Sequence, residues 1–282
     1  MTSKIKIVTD SSVQLTPAEI EQYQITVIPL TIVIDDDVYT DGVNLSRQEF
    51  MEKMSRSKAL PQTSQPSIGT ILDCYDQLTA DGSEVISIHM TETISGTVNA
   101  ARQAAQISRS TVTVIDSDFT DRAMAFQVLQ AAKMAQQGAS REAIIAAVDQ
   151  VRDQTELYMS VTSLTNMVKG GRLSRVSGML SSLLNIKVIL QLHDAQLEAI
   201  SKGRGMKTIQ NFYRDLVKKM ANAGASVKMV GISHADAQAL ADQVKEQIQA
   251  VLPQVPILVA PTSPVIATHT GAGAIAVMFY RG

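Results

Sequence analysis

Five short segments of the 282-residue chain gather hydroxyl, glycine and titratable side chains just after strand-like stretches. In open α/β sheets, ligands bind beyond the carboxyl ends of strands. The first segment is Thr9-Asp10-Ser11-Ser12, where Asp10 could orient a hydroxyl or simply close an Asp/Ser turn. The second is Pro61-Gln62-Thr63-Ser64-Gln65-Pro66-Ser67, whose prolines stiffen a row of donors and acceptors. It reads equally as a ligand loop or as a rigid connector. The third, Ile94-Ser95-Gly96-Thr97, opens a helix. A helix N-terminus suits an anion, and Gly96 would let one approach the backbone, but a serine there is also a routine cap. The fourth, Lys169-Gly170-Gly171-Arg172-Leu173-Ser174, could present Arg172 to a ligand or leave it solvated at a helix end. The fifth, His269-Thr270-Gly271-Ala272-Gly273, offers a histidine as donor to a carboxylate or as a structural residue.

Several chemistries lack their signatures. No Walker A loop precedes a Lys-Ser or Lys-Thr pair. Gly271-Ala272-Gly273-Ala274-Ile275-Ala276 matches a dinucleotide fingerprint on paper but lies too near the chain end for the helix, strand and ribose-binding acid that should follow. No Gly-x-Ser-x-Gly elbow surrounds a serine. His89, His193, His234 and His269 show no metal-ligand spacing, so no metal site is assigned. The single cysteine, Cys74, excludes an internal disulfide and reads as a small buried side chain.

The elements that must carry these segments alternate. Lys4–Val8, Thr26–Ile34, Glu84–His89, Thr111–Ile115 and Leu157–Val161 read as strands. Capping boxes at Thr16-Pro17-Ala18-Glu19 and Ser46-Arg47-Gln48-Glu49 start helices, and Pro66-Ser67 starts another. Two long helices meet at Gly138. This pattern predicts an α/β fold whose N-terminal domain, residues 1–162, is a mostly parallel sheet with helices on both faces. A smaller α/β domain, residues 163–282, follows, with a hairpin at Lys187–Leu192 and Leu197–Ser201.

The composition sets bounds. A net charge of -2 gives no basic excess for nucleic acid. No signal-peptide core and no bilayer-length apolar run occur, so the expected location is the cytoplasm. Tryptophan is absent while methionines number 13, which suits an interior able to take an irregular apolar guest, or merely a Met-rich core.

Taken in order, Val8-Thr9-Asp10-Ser11-Ser12, Thr63-Ser64-Gln65-Pro66, Ile94-Ser95-Gly96-Thr97, Gly170-Gly171-Arg172-Leu173-Ser174 and His269-Thr270-Gly271 resemble the DegV family, the fatty-acid-binding subunits of bacterial fatty acid kinase. The resemblance implies two α/β domains enclosing one long-chain fatty acid, with no cofactor beyond that ligand and no catalytic residue of its own. It implies that Thr63, Ser95 and His269 hold the carboxylate together with Gly96 and Arg204, the arginine of Lys202-Gly203-Arg204. Asp10, Ser11, Ser64, Thr97, Arg172 and Thr270 are expected in supporting or partner-facing roles. A separate kinase would phosphorylate the bound carboxylate with ATP for phospholipid synthesis, and transient contact with a membrane surface is expected. The physics is compatible: at about 0.8 kcal/mol per methylene, roughly fifteen buried methylenes give on the order of 12 kcal/mol before association costs. The competing reading is a serine hydrolase or acyltransferase with Ser95 as nucleophile, His269 as base and Asp10 as orienter.

Overall fold

A computed structural model describes residues 4–178 and 186–282. The chain begins with β1 (Ile5–Asp10), α1 (Pro17–Tyr23), β2 (Thr26–Ile28), β3 (Thr31–Ile34), β4 (Asp37–Thr40), α2 (Arg47–Arg56) and β5 (Gln62–Ser64). It continues through α3 (Ile68–Thr79), β6 (Glu84–His89), α4 (Thr97–Ile107), β7 (Val112–Asp116), α5 (Asp121–Gln136) and α6 (Arg141–Asp153). Then come β8 (Thr155–Val161), α7 (Thr165–Lys169), β9 (Val176–Ser177), β10 (Lys187–His193) and β11 (Gln196–Gly203). The last elements are α8 (Lys207–Ala223), β12 (Val227–His234), α9 (Gln238–Val251), β13 (Ile257–Pro261), α10 (Pro264–Thr270) and β14 (Ile275–Arg281).

The local signals behave as their chemistry dictates. Thr16 and Ser46 each accept from the backbone N–H three residues on, and Glu19 and Glu49 reach back to complete both capping boxes. Thr26–Ile34, read from sequence as one strand, is two. Pro29 has no N–H to give a ladder, and the chain leaves one sheet there and enters another.

Three sheets result. The first is all parallel, in the order β2-β1-β6-β7. The second has seven strands in the order β13-β12-β14-β8-β10-β11-β9, and its central pairs are antiparallel. The third is a small antiparallel sheet, β4-β3-β5, in which Thr63 pairs with Ile32. The strand at Thr155–Val161 therefore does not extend the parallel sheet as the βα rhythm suggested. It lies between β14 and β10, antiparallel to both. A cut at residue 162 separates it from these partners.

Helix α5 joins the two large sheets. It packs on β1 and β6 on one side and on β8, β12 and β14 on the other. Its sequence permits this because Ala123, Met124, Ala125, Phe126, Val128, Ala131 and Ala132 place small or apolar side chains around the whole circumference, and all are buried. The largest apolar cluster runs from Ile7 on β1 through α5 to Val188 and Met278 in the second sheet. The order of the first sheet turns outward at β1 and β6, so the loops following these strands open at its switch point, beside the second sheet.

Candidate functional site

A cavity of about 300 Å³ lies where these loops meet the second sheet. That is at the small end of the range for ligand sites. Its apolar wall comes from both halves of the fold: Leu30 and Met90, then Leu157, Met159, Leu192 and Leu197 on the second sheet, with Met167 and Ile266 from helices. Three methionines in this wall give it side chains that can re-pack around a guest.

The polar end is assembled from four chain segments: Thr63, Ser64 and Gln65; Ser95 and Gly96; Arg172; and His269 with Thr270. Thr63 stands on β5 instead of in a free loop, so its direction is fixed by pairing with β3. Its Oγ1 lies 3.1 Å from His269 Nε2. His269 occupies the last turn of α10, which Ser263 caps and Pro264 starts. Burial, with the Arg172 charge adding to it, pushes the imidazole down to about 4, so it is neutral near pH 7. The ring's Nδ1 is buried without a hydrogen-bond partner among the described residues. A Cβ on Gly170 would strike that ring, so only glycine leaves room for His269 here.

Arg172, half-buried beside the histidine, donates from Nε to Ile94 O at 3.2 Å and from Nη1 to Gly170 O at 2.8 Å. Burial and the neighbouring Arg175 lower its pKa. Ser95 accepts from the Thr97 N–H at 3.3 Å, and its Oγ lies 2.9 Å from Thr97 Oγ1. Helix α4 itself begins at Thr97, and its N-cap, Gly96, supplies no side-chain cap. The first amide of the helix, that of Thr97, is thus taken by Ser95, while Gly96 offers no side chain to the amides after it, which leaves the helix start able to favour an anion.

Other expected residues stand elsewhere. Arg204 is exposed past the end of β11 and does not line the cavity. The strand touches the cavity through Leu197, and at ~3.3 Å per residue Arg204 is roughly 23 Å farther along. Ser11 donates to Asp41 at 2.7 Å and lines a separate groove with Arg47, while Thr97 is buried behind Ser95. Burial pushes Asp41 up to about 6.

Asp10 is fully buried away from the cavity lining. It accepts from Ser12 Oγ at 2.5 Å, from the Met90 N–H at 3.0 Å and from His89 Nδ1 at 3.0 Å. Burial alone would raise its pKa, but His89, Ser12 and the Met90 amide outweigh that and hold it below the ordinary value. The chain extends outward, with Tyr75 OH donating to Ser87, whose Oγ lies 2.7 Å from His89 Nε2. Asp10 thus ties the loop after β1 to the loop that carries Met90 and leads to Ser95.

The arrangement required of a Ser-His-Asp hydrolase is not assembled. Ser95 is engaged with Thr97, His269 with Thr63, and Asp10 with His89. Cys74, pushed up to about 11 by burial, is no nucleophile. No cluster able to hold a metal occurs among the described residues, and none of their helices is long and apolar enough to cross a membrane.

The sequence reading missed two wall residues, Thr120 and Asp121, which begin α5 on the cavity side.

Comparison with known proteins places this geometry. A family model described as an uncharacterised protein of the DegV family matches residues 4–282. The chain belongs to the DegV family. A DegV domain-containing protein of Streptococcus pneumoniae serotype 4 is 45% identical over 276 residues, covering 98% of each chain. One from Lactococcus lactis is 44% identical over 274 residues, covering 97% of this chain and 98% of the relative. Among solved structures, DegV of Bacillus subtilis, a fatty acid binding protein, superposes with a TM-score of 0.91 at 31% identity, covering 99% of this chain and 100% of that one. A fatty acid binding DegV family protein from Streptococcus agalactiae gives a TM-score of 0.88 at 27% identity, covering 99% of each chain. The α/β architecture, two large sheets with a small third, is thus that of DegV folds.

Proposed function

We propose that this DegV protein binds one long-chain fatty acid, its tail in the chamber between the two sheets and its carboxylate at Thr63, Ser95, the start of α4, Arg172 and His269. The observation that carries this reading is a cavity apolar along most of its wall and polar at one end. A carboxylate taken out of water needs several donors at once, and a charge near it. Hydroxyls, the helix amides beyond Thr97 and the remaining guanidinium nitrogen of Arg172 can supply both. A neutral His269 can give a hydrogen bond without adding a second buried cation. The fatty acids named for the Bacillus and Streptococcus proteins support the ligand class. We assign the finer role by family resemblance: a cytoplasmic carrier that shields the chain and presents its carboxylate to a separate ATP-dependent kinase, feeding phospholipid synthesis.

Titration of delipidated protein with oleate should saturate at one ligand per chain. Arg172→Ala should weaken binding by about ten-fold or more, as expected for a hydrogen bond to a charged group, whereas Arg204→Ala should leave it unchanged. Labelled ATP and oleate with the pure protein should give no acyl-phosphate. Robust product without a partner would overturn the carrier role.

A further inference from the structure

The tail chamber is not apolar throughout. Thr120 and Asp121 interrupt it, and Asp121 also faces a small adjoining void beside Met159 and Ala276. Asp121 is only 2% exposed. Its Oδ1 accepts from Ser233 at 2.6 Å and its Oδ2 from Thr262 at 2.6 Å, with no ion pair among the described residues. The Arg122 backbone also contributes a hydrogen bond to the carboxyl, and two oxygens offer about four acceptor directions in all, so capacity for one more donor remains. Burial raises the carboxyl's pKa, and the two hydroxyls only partly offset this.

Helix α10 measures where this spot lies. Thr262, bonded to Asp121, stands just ahead of the cap Ser263, and His269 stands in the last turn. At ~1.5 Å per residue the two are roughly 10 Å apart. Carbon–carbon bonds are about 1.5 Å long, so an extended acyl chain held at His269 passes Asp121 near its eighth carbon or a little beyond.

A saturated tail would leave this carboxyl, already bonded to Ser233 and Thr262, facing methylenes with its remaining acceptor capacity unused. A guest hydroxyl at that depth would be matched, and sites built to receive a hydroxyl discriminate strongly against analogues lacking it. We propose that Asp121 and Thr120 form a specificity contact in the tail chamber, and that the preferred guest is a long-chain fatty acid with a hydroxyl near its midpoint, donating to Asp121. This rests on the fatty-acid reading and specifies the substrate class for that same cavity.

The test compares affinities of delipidated protein for octadecanoic acid and for its derivatives hydroxylated near the midpoint and at the far end. The wild type should hold the midpoint derivative roughly ten-fold tighter than the unsubstituted acid, and the far-end derivative should show no such gain. Asp121→Asn, which keeps the side chain's shape and tolerates the left-handed backbone at this position (φ 58°), should narrow that ratio. Thr120→Val is a second variant that spares the Ser233 and Thr262 bonds, though it gives up the Thr120 hydroxyl's bond to Ser12 at 3.2 Å, and it should narrow the ratio less. Equal or weaker binding of the midpoint derivative by the wild type, or a gain independent of hydroxyl position, overturns the proposal. Failure of all three acids to bind would instead remove the fatty-acid reading beneath it.

Discussion

His269 is held where burial works against charge, and the sign of that effect is measurable. Its pKa in the ligand-free fold is about 4 against an ordinary 6.5, so between those values the unfolded chain binds more protons. The group's contribution to stability is whole above pH 6.5 and is lost as the pH falls through 4, by on the order of 3 kcal/mol. Asp41, raised to about 6, acts in the opposite sense, its contribution fading as the pH rises through that value. Denaturant unfolding of wild type and His269→Gln across this window separates the two. The variant should lose less stability on acidification, and parallel curves would show that the imidazole is not held neutral by the fold. Ser95 calls for a different readout. Ser95→Ala removes one hydroxyl, with its contacts to Thr97, while leaving the tail chamber and the helix, so bound fatty acid should persist, more weakly. Phosphoryl transfer depends on the orientation of the carboxylate, so kinase-coupled acyl-phosphate formation should fall far more. If occupancy and coupled turnover both hold, Ser95 serves only Thr97. Ser95 drew attention because hydroxyls and glycines after strands are where such folds place ligands, and His269, in the last turn of α10, because it stands beside two glycines; the structure brings both to one cavity. Asp121 was not legible: its partners lie 112 and 141 positions away, and nothing local marks it. Arg204 was assigned by the family resemblance alone, and no local signal tells which end of the hairpin strand faces the cavity; here it is the Leu197 end.

Helix α10 and the turn after α7 act as one clamp on the head-group end. Gly170 has an ordinary negative φ of -81°, so an alanine there costs nothing in backbone conformation. Its Cβ would nonetheless collide with the His269 ring. The Cβ would also lie 3.0 Å from the Asn166 carbonyl oxygen, so Gly170→Ala should rotate the histidine away from Thr63 and weaken fatty acid binding several-fold, with a modest drop in unfolding midpoint. An unchanged affinity would show that the Thr63–His269 contact does not organise the site. Gly96 is the contrasting case, because its added Cβ would meet only the movable end of Gln65. The capping boxes, the joint at Gly138 and the hairpin were readable from local chemistry. The break at Pro29 had a visible cause, and only its consequence, a move to another sheet, required the tertiary structure. The affiliation of β8 was hidden for a deeper reason. Thr155–Val161 is buried on nearly every residue, and a strand buried on both faces reads alike in a parallel or a mixed sheet.

In the molecule as a whole, α5 lies between two sheets that share one apolar cluster, and the chamber forms where the loops of one face the strands of the other. A guest there touches both halves of the fold, so its burial adds to their cohesion and binding should stabilise the native state by linkage. The Met-rich, tryptophan-free composition hinted at an adaptable interior but did not locate it. The ordered set of motifs pointed to the proposed ligand class, and the cavity is the place we propose for it. The central claim, one intact fatty acid per chain, is tested most directly by native mass spectrometry of the protein as purified. The account predicts one dominant adduct, released on denaturation as a free long-chain fatty acid, with the polypeptide at its unmodified mass. A protein carrying no lipid and taking none up from added fatty acid, or one acylated at Ser95, would contradict it.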